Sequence, residues 1–414
     1  GSCCFNTRFR ARRQTLSRTQ ADVSEVTTKQ STSHQGEIFL YLSIMICFCV
    51  LYAPQPMLSE LAERFMVSKP EAGLLVSVTL IPLAIAPLSY GIFLKQLSAL
   101  TILKWALPLL AIAMAWSGFV HSYEGMLILR LIQGALLPAI MTATMAYLAS
   151  GREGAELSRV MALYISSTIF GGMAGRVVSG QLAAVIEWEW VASMWAVLLV
   201  LVTLTPWRRA TPKPLNLIKP DAQLIKQAMT SRGNALIYLS VLCMFWVFAG
   251  YLNYLPFRIN EVDPGASTGL IGQSYLGYSI GIVSALTAGW LAKRYGGPIR
   301  VAMIGFVVMI GSLVLSLGDV WMLIAQVFVM CLGMFVIHTL AASEVNHNAR
   351  SLGGVVNGLY VSCYYAGGAL GAWLMGYVYE LFGWNVFLLM LAAIGGIGAL
   401  CMWLYGRMNQ RLGR

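Results

Sequence analysis

The chain has 414 residues, 58% of them hydrophobic and only 11% charged, against roughly 25% charged in a soluble domain. That composition excludes a water-soluble globular domain and implies a polytopic membrane protein with the lipid bilayer as its surroundings. The formal charge of +11 falls one loop at a time along the chain with no interleaved aromatic platform, so it signals topology and excludes nucleic acid as a partner.

Residues 1–37 are polar, rich in Ser, Thr and Gln and without periodicity, and are expected to form a disordered cytoplasmic tail. Gly1-Ser2 reads as a cloning remnant. Arg12-Arg13 is followed by no small-residue cleavage site, so the first apolar run is expected to be retained. Apolar runs of about 20 residues then place twelve helices at 38–58, 72–94, 100–120, 125–149, 157–184, 189–207, 234–257, 268–292, 299–317, 320–344, 353–379 and 383–406. An N-terminal bundle of six, 38–207, is joined by a cytoplasmic linker, 208–233, to a C-terminal bundle, 234–406, and 407–414 is a short cytoplasmic tail. Pro206 to Pro220 carries four prolines and four basic residues. After it, Asp221–Thr230 is expected to form a short interfacial helix with Leu224, Ile225, Ala228 and Met229 on one side.

Loop charges give the orientation. With residue 1 in the cytoplasm, the outward connections hold only Arg64, Lys69 and Arg258 as basic residues, beside acids such as Glu60, Glu63, Glu71, Glu187, Glu189, Glu261 and Glu380. Nearly all other Lys and Arg then face inward, so both termini are expected in the cytoplasm. Of eight cysteines, Cys47, Cys49, Cys243, Cys331, Cys363 and Cys401 fall inside predicted helices, with neither metal-ligand spacing nor a disulfide framework. No metal and no cofactor are expected.

Leu163-Tyr164, Ser166, Gly171-Gly172, Gly175, Gly180 and Trp188 recur 196 positions later as Leu359-Tyr360, Ser362, Gly367-Gly368, Gly371, Gly376 and Trp384. A few glycine matches are cheap in such a chain, but Tyr, Ser and Trp at one fixed offset imply a duplicated half. The expected fold is therefore an all-α membrane protein of two pseudo-symmetric six-helix bundles, as in secondary transporters whose halves rock around a central site. The glycines remove side chains where helices must touch, and are read as a packing seam between the rocking parts.

The residues that bear chemistry are few. Arg130 lies about five residues into helix 4 and Arg176 about eight residues before the end of helix 5, which at about 1.5 Å per residue puts both on the order of 8–12 Å below the outer surface. No acid lies well inside any predicted helix, so carbonyls, hydroxyls, water or an anionic ligand must satisfy them. Arg130 is either a substrate or gating residue or a structural hub between helices 1 and 4; Arg176 either meets the substrate or reaches outward. His338 in helix 10 is the intramembrane group that titrates near neutral pH, and is either a proton-coupling residue or a structural histidine. Tyr52, Gln55, Gln133, Tyr164, Asn253, Tyr254, Tyr360, Tyr364 and Tyr365 complete the candidate substrate or gating set, with interfacial or core packing as the alternative for the tyrosines.

Arg130-x-x-Gln133-Gly134 resembles the helix 4 motif of major facilitator transporters. Gly171-x-x-x-Gly175-Arg176-x-x-Ser179-Gly180-x-Leu182 resembles the helix 5 motif GxxxGPxxGGxL of their twelve-helix drug/proton antiporter branch. Leu51-Tyr52-x-x-Gln55-Pro56-x-Leu58 is similar to bacterial inner-membrane efflux proteins of that branch. The resemblance covers residues 38–406 and implies the major facilitator fold, alternating access, proton coupling and a helix 10 that lines the central cavity. Three departures stand out. The loop Gly91 to Leu100 loses the acid and arginine of the family's GxLaDRxGRK, Arg176 replaces the helix 5 proline, and helix 1 lacks the buried acid of many multidrug antiporters.

The expected function is proton-coupled export of a small amphipathic or anionic organic compound across a bacterial inner membrane, by a monomer. Proton-coupled uptake of an organic anion is the alternative. An intramembrane enzyme or lipid-handling protein is the remote one, since no helix shows HExxH, GxSxG or paired buried acids.

Overall fold

The computed structural model describes residues 37–93, 97–204, 222–230, 233–349 and 353–411. The polar tail, Lys95 and Gln96 of the loop after helix 2, the proline-rich part of the linker and the last three residues lie outside them. The described chain is helical, without strands. Its membrane helices are α1 (Glu37–Phe65), α2 (Lys69–Phe93), α3 (Ala99–Phe119), α4 (Tyr123–Ala149), α5 (Gly154–Ala183), α6 (Trp188–Thr203), α7 (Asn234–Val262), α8 (Thr268–Arg294), α9 (Pro298–Leu317) and α10 (Val320–Ala349). The helix Gly353–Arg411 breaks at Gly383, whose φ of 79° suits a residue without Cβ, and so supplies α11 and α12. Serines set several starts: Ser98, Ser122 and Ser267 each accept a hydrogen bond from the backbone N–H three residues on, satisfying a donor the helix leaves free.

Four helices outrun the sequence reading by five residues or more, α10 to Ala349 and α12 to Arg411 among them. α1 continues seven residues past 58, and α7 five past 257. Polar residues such as Glu60, Glu63 and Arg64 look like a loop, but Leu58, Ser59, Leu61 and Ala62 of the same turns are buried, so the extension is amphipathic. Pro54 and Pro56 interrupt α1 only with a 3₁₀ turn over Gln55–Met57. The linker helix Ala222–Thr230 forms with Ala228 buried.

The duplication is visible in atoms. A Cβ on Gly171 would lie 2.2 Å from the Met45 carbonyl oxygen, and one on Gly175 2.5 Å from Cys49 Cα; on Gly367 and Gly371 it would lie 2.1 and 2.2 Å from the carbonyl oxygens of Leu242 and Trp246. The crossing of α1 with α5 is thus repeated by α7 with α11. Trp188 donates its indole N–H to the Ser117 carbonyl at 2.9 Å, and Trp384 donates to Ser316 at the same distance.

These four glycines pack inside the halves, which differs from the seam the sequence suggested; two copies of one unit must each be tight before they can move as bodies. Gly134 likewise meets Thr79 backbone of α2 inside the first half, while Gly172 and Gly368 face Tyr52 and Phe245. Gly180 and Gly376 are the ones on the boundary: Gly180 faces Gly272 of α8 and Gly376 faces Pro70 of α2, again 196 positions apart. Gly175→Leu and Gly371→Leu are therefore expected to abolish a monodisperse folded peak in size-exclusion chromatography. Gly180→Ala is expected to fold and to lose transport, because a methyl 2.6 Å from Gly272 Cα holds α5 and α8 apart.

The halves are fastened at the face bearing the connections after α1, α3, α5, α7, α9 and α11. There the Lys69 N–H donates to Glu380 at 2.9 Å, Lys69 Nζ lies 3.6 Å from Glu261, Asn260 donates to Ser59 at 2.9 Å and Gln181 donates to the Gly269 carbonyl at 2.7 Å. Thr268 donates to Glu60 across the same boundary. Along α5, only Val178 is exposed between Gly171 and Gly180, whereas toward the opposite face Ser158, Arg159, Ala162, Leu163, Ile165 and Ser166 all are.

Candidate functional site

Arg130 is fully buried within the first half. Its Nε donates to the Leu75 carbonyl at 3.0 Å, Nη1 to the Val50 carbonyl at 3.3 Å and to Gln133 Oε1 at 2.7 Å, and Nη2 to the Leu51 carbonyl at 2.6 Å. Gln133 passes the link on, donating to the Ala113 carbonyl of α3 at 3.2 Å. The acceptors have a local cause. Pro54 has no N–H to offer the carbonyl four residues back, that of Val50, and the 3₁₀ turn after it disturbs the register at Leu51. One planar guanidinium thus closes the gap in α1 and ties α1, α2, α3 and α4, which is the hub arrangement, one of the two open readings.

Arg176 is placed differently. It is 2% exposed and stands where the halves meet. Its Nε donates to Gln55 Oε1 and Nη1 to the Gly172 carbonyl at 2.6 Å, and the guanidinium also hydrogen-bonds the Tyr52 hydroxyl. The guanidinium carbon lies 3.7 Å from the ring centre of Tyr52 in its own half and 4.6 and 5.6 Å from those of Tyr278 and Tyr275 in the other, within the range of cation–π attraction. No carboxylate pairs with it among the described residues. Gln55 turns its amide nitrogen to Asn253 Oδ1 across the boundary at 3.2 Å, and Asn253 donates to the carbonyls of Ala372 at 2.9 Å and Gly73 at 3.4 Å. A polar chain therefore runs from the Arg176 charge through both halves.

The tyrosines divide. Tyr254 donates to the Ala372 carbonyl at 2.7 Å, and Tyr164 to the Met141 carbonyl at 3.3 Å. Tyr364 stacks on Phe245 with ring centres 3.7 Å apart and planes 14° apart, and Tyr365 stands edge-on to both. Tyr360 Oη lies 2.8 Å from His338 Nδ1 and 3.0 Å from the His338 carbonyl oxygen, while Tyr364 stands 4.9 Å from the imidazole centre. When the phenol donates to the carbonyl, Nδ1 is the protonated nitrogen and Nε2 is left as the basic one.

Sequence reasoning missed Tyr275, Tyr278 and Phe245. The first two sit three apart around a 3₁₀ turn in α8, a spacing that puts both on one face and could have found them.

Two duplicated bundles enclosing a buried cation, amides and phenols at their junction define a membrane transporter. The chain belongs to the Major Facilitator Superfamily, whose family profile matches residues 40–372. It is similar to the uncharacterized MFS-type transporter YybF of Bacillus subtilis, 28% identical over 81% of this chain and 85% of that protein. It is also similar to the inner membrane transport protein YnfM of Escherichia coli, 26% identical over 84% of each. Among solved structures it resembles a bacterial homolog of the human lysosomal transporter Spinster in an inward-facing, unoccupied conformation, at a TM-score of 0.76 and 12% identity over 91% of this chain and 97% of that one. The nucleoside transporter NupG, as a mutant, resembles it at 0.72 and 15% identity over 90% and 99%. The chain is thus a multi-pass transporter and not an enzyme.

Proposed function

We propose that this transporter exports a small amphipathic organic anion against proton entry, by alternating access in a bacterial inner membrane. The observation that carries the reading is Arg176: a buried charge at the junction of the halves, with no carboxylate partner among the described residues. An arginine at membrane depth is costly unless something compensates it, and a carboxylate would do so by the bidentate geometry that a guanidinium favours. Arg130, committed to carbonyls, is then a positioning residue. The loop charges support an assignment of the fastened face to the outside and of the termini to the cytoplasm. With that assignment, the exposed inner stretch of α5 belongs to an inward-open form.

His338 supplies the proton site in this scheme. Protonation at Nε2 costs no hydrogen bond made by Nδ1, and Tyr360 on α11 would report the charge to the helix that bears the boundary glycine Gly376. His338→Gln is expected to retain substrate exchange between equilibrated compartments and to lose accumulation driven by a pH gradient. Equal loss of both would remove His338 from coupling.

The test of the whole reading is a screen of organic acids in proteoliposomes with an imposed pH gradient. Flux of an acid that follows the gradient supports it, and flux indifferent to the gradient overturns the coupling. In a Cys-free background, a cysteine at Glu261 is expected to react with an impermeant reagent from outside and one at Lys219 from inside; the reverse pattern overturns the orientation.

A further inference from the structure

An anion held by Arg176 needs a wall for its uncharged part, and the residues leading away from the guanidinium are rings. Tyr278, 4.6 Å from the guanidinium carbon, lies 5.6 Å from Phe248 and 5.7 Å from Phe335, ring centre to ring centre. Phe248 lies 6.1 Å from Phe245, Phe245 stacks at 3.7 Å on Tyr364, and Tyr364 stands 4.9 Å from the His338 imidazole. Every step from the cation to the histidine is therefore one aromatic face or edge to the next, within the separations at which rings attract beyond simple burial. At its far end Tyr364 and His338 are partly accessible, while Phe245 and Phe248 are buried. The Phe245–Tyr364 pair joins α7 to α11, the crossing made close by Gly367 and Gly371.

An aliphatic solute would want leucine and isoleucine along such a path. Stacked rings differ in offering planar faces with negative quadrupoles and positive edges, and they discriminate by shape as well as by area. We infer that the solute is a planar aromatic acid: Arg176 takes the carboxylate, and the ring lies along Tyr278 and Tyr364. This inference rests on the anion reading of Arg176 and narrows it.

The probes are three molecules of one shape class: naphthoate, its saturated counterpart decahydronaphthoate, and neutral naphthalenemethanol, each titrated by calorimetry into the purified full chain in detergent. Naphthoate is expected to bind about three- to tenfold more tightly than decahydronaphthoate and at least tenfold more tightly than the alcohol. Tyr364→Leu, at a half-buried position, is expected to remove the preference for naphthoate over decahydronaphthoate while leaving the preference for acid over alcohol. Tyr278→Leu provides the same comparison from the other wall. Equal affinity for the aromatic and saturated acids overturns the aromatic class and leaves the anion reading standing. Equal affinity for acid and alcohol overturns the anion reading itself. Absence of naphthoate binding in the millimolar range overturns the aromatic class.

Discussion

Arg176→Ala is expected to weaken binding of an anionic solute by about 2–5 kcal/mol, the usual cost of deleting one side of a buried charge-assisted contact. That is roughly a thirtyfold loss or more. Arg176→Lys is expected to fall between, because an ammonium keeps the charge but lacks the planar fork. The fold should tolerate both, since no carboxylate is left behind and the desolvation of the guanidinium is offset by Gln55, one carbonyl, the Tyr52 hydroxyl and three phenol faces. Apparent melting temperature is thus expected to hold or rise in Arg176→Ala while affinity collapses. Calorimetry with an acid that binds wild type, beside a melting curve of the same sample, reads both; unchanged affinity would remove Arg176 from the site.

How much of this was legible in the sequence differs from level to level. The twelve apolar runs and the 196-residue repeat carry the fold, because lipid demands long helices with internally satisfied backbones and duplication copies their contacts: Gly171 with Met45 and Gly367 with Leu242 are the same event twice. What composition could not give is which helix each glycine meets. A stripe of small residues announces a close approach without naming the partner, so a seam between halves and a crossing inside one half look alike until α1 and α5 are placed. The two arginines show the same limit at the site. Both read as unpaired intramembrane charges, and only the proline-opened carbonyls of α1, far away in sequence, distinguish the satisfied one from the available one. Tyr275 and Tyr278 were missed for another reason: their spacing puts both on one face, but in an apolar helix that face gains meaning only once a cation is found between the halves.

The relay through Gln55 and Asn253 gives the site a mechanical meaning. Arg176 and Gln55 belong to the first half, Asn253 to the second, and the amide pair bridges them at 3.2 Å. A solute that competes with Gln55 for Arg176 would loosen a contact that fastens the closed face. Recognition and opening are then one rearrangement, with the solute's preference for the rearranged state as the source of the shift.

Arg130→Ala is expected to have the opposite signature to Arg176→Ala: a large loss of stability with affinity retained in the protein that still folds. The change strands the carbonyls of Val50 and Leu51 and the amide oxygen of Gln133 in a fully buried setting, at about 1–3 kcal/mol for each orphaned group. The relief of no longer burying a guanidinium offsets part of this, so a net loss of about 3–5 kcal/mol is expected, in line with other broken buried charge networks, and a fall in apparent melting temperature on the order of 10 °C. Arg130→Lys should recover a minority of it, since one ammonium cannot span acceptors on α1, α2 and α4 together. The repeat supplies the comparison. At 196 positions beyond Arg130 stands Gln326, equally buried, with neither amide atom hydrogen-bonded among the described residues. There the second half makes no equivalent network, so Gln326→Leu is expected to leave the melting temperature unchanged or raise it, an unsatisfied polar group being replaced by an apolar one of similar size. Melting curves for the three variants, with solute affinity measured on the folded fraction, decide the matter. An Arg130→Ala protein that melts like wild type and fails to bind would transfer Arg130 from the scaffold to the site.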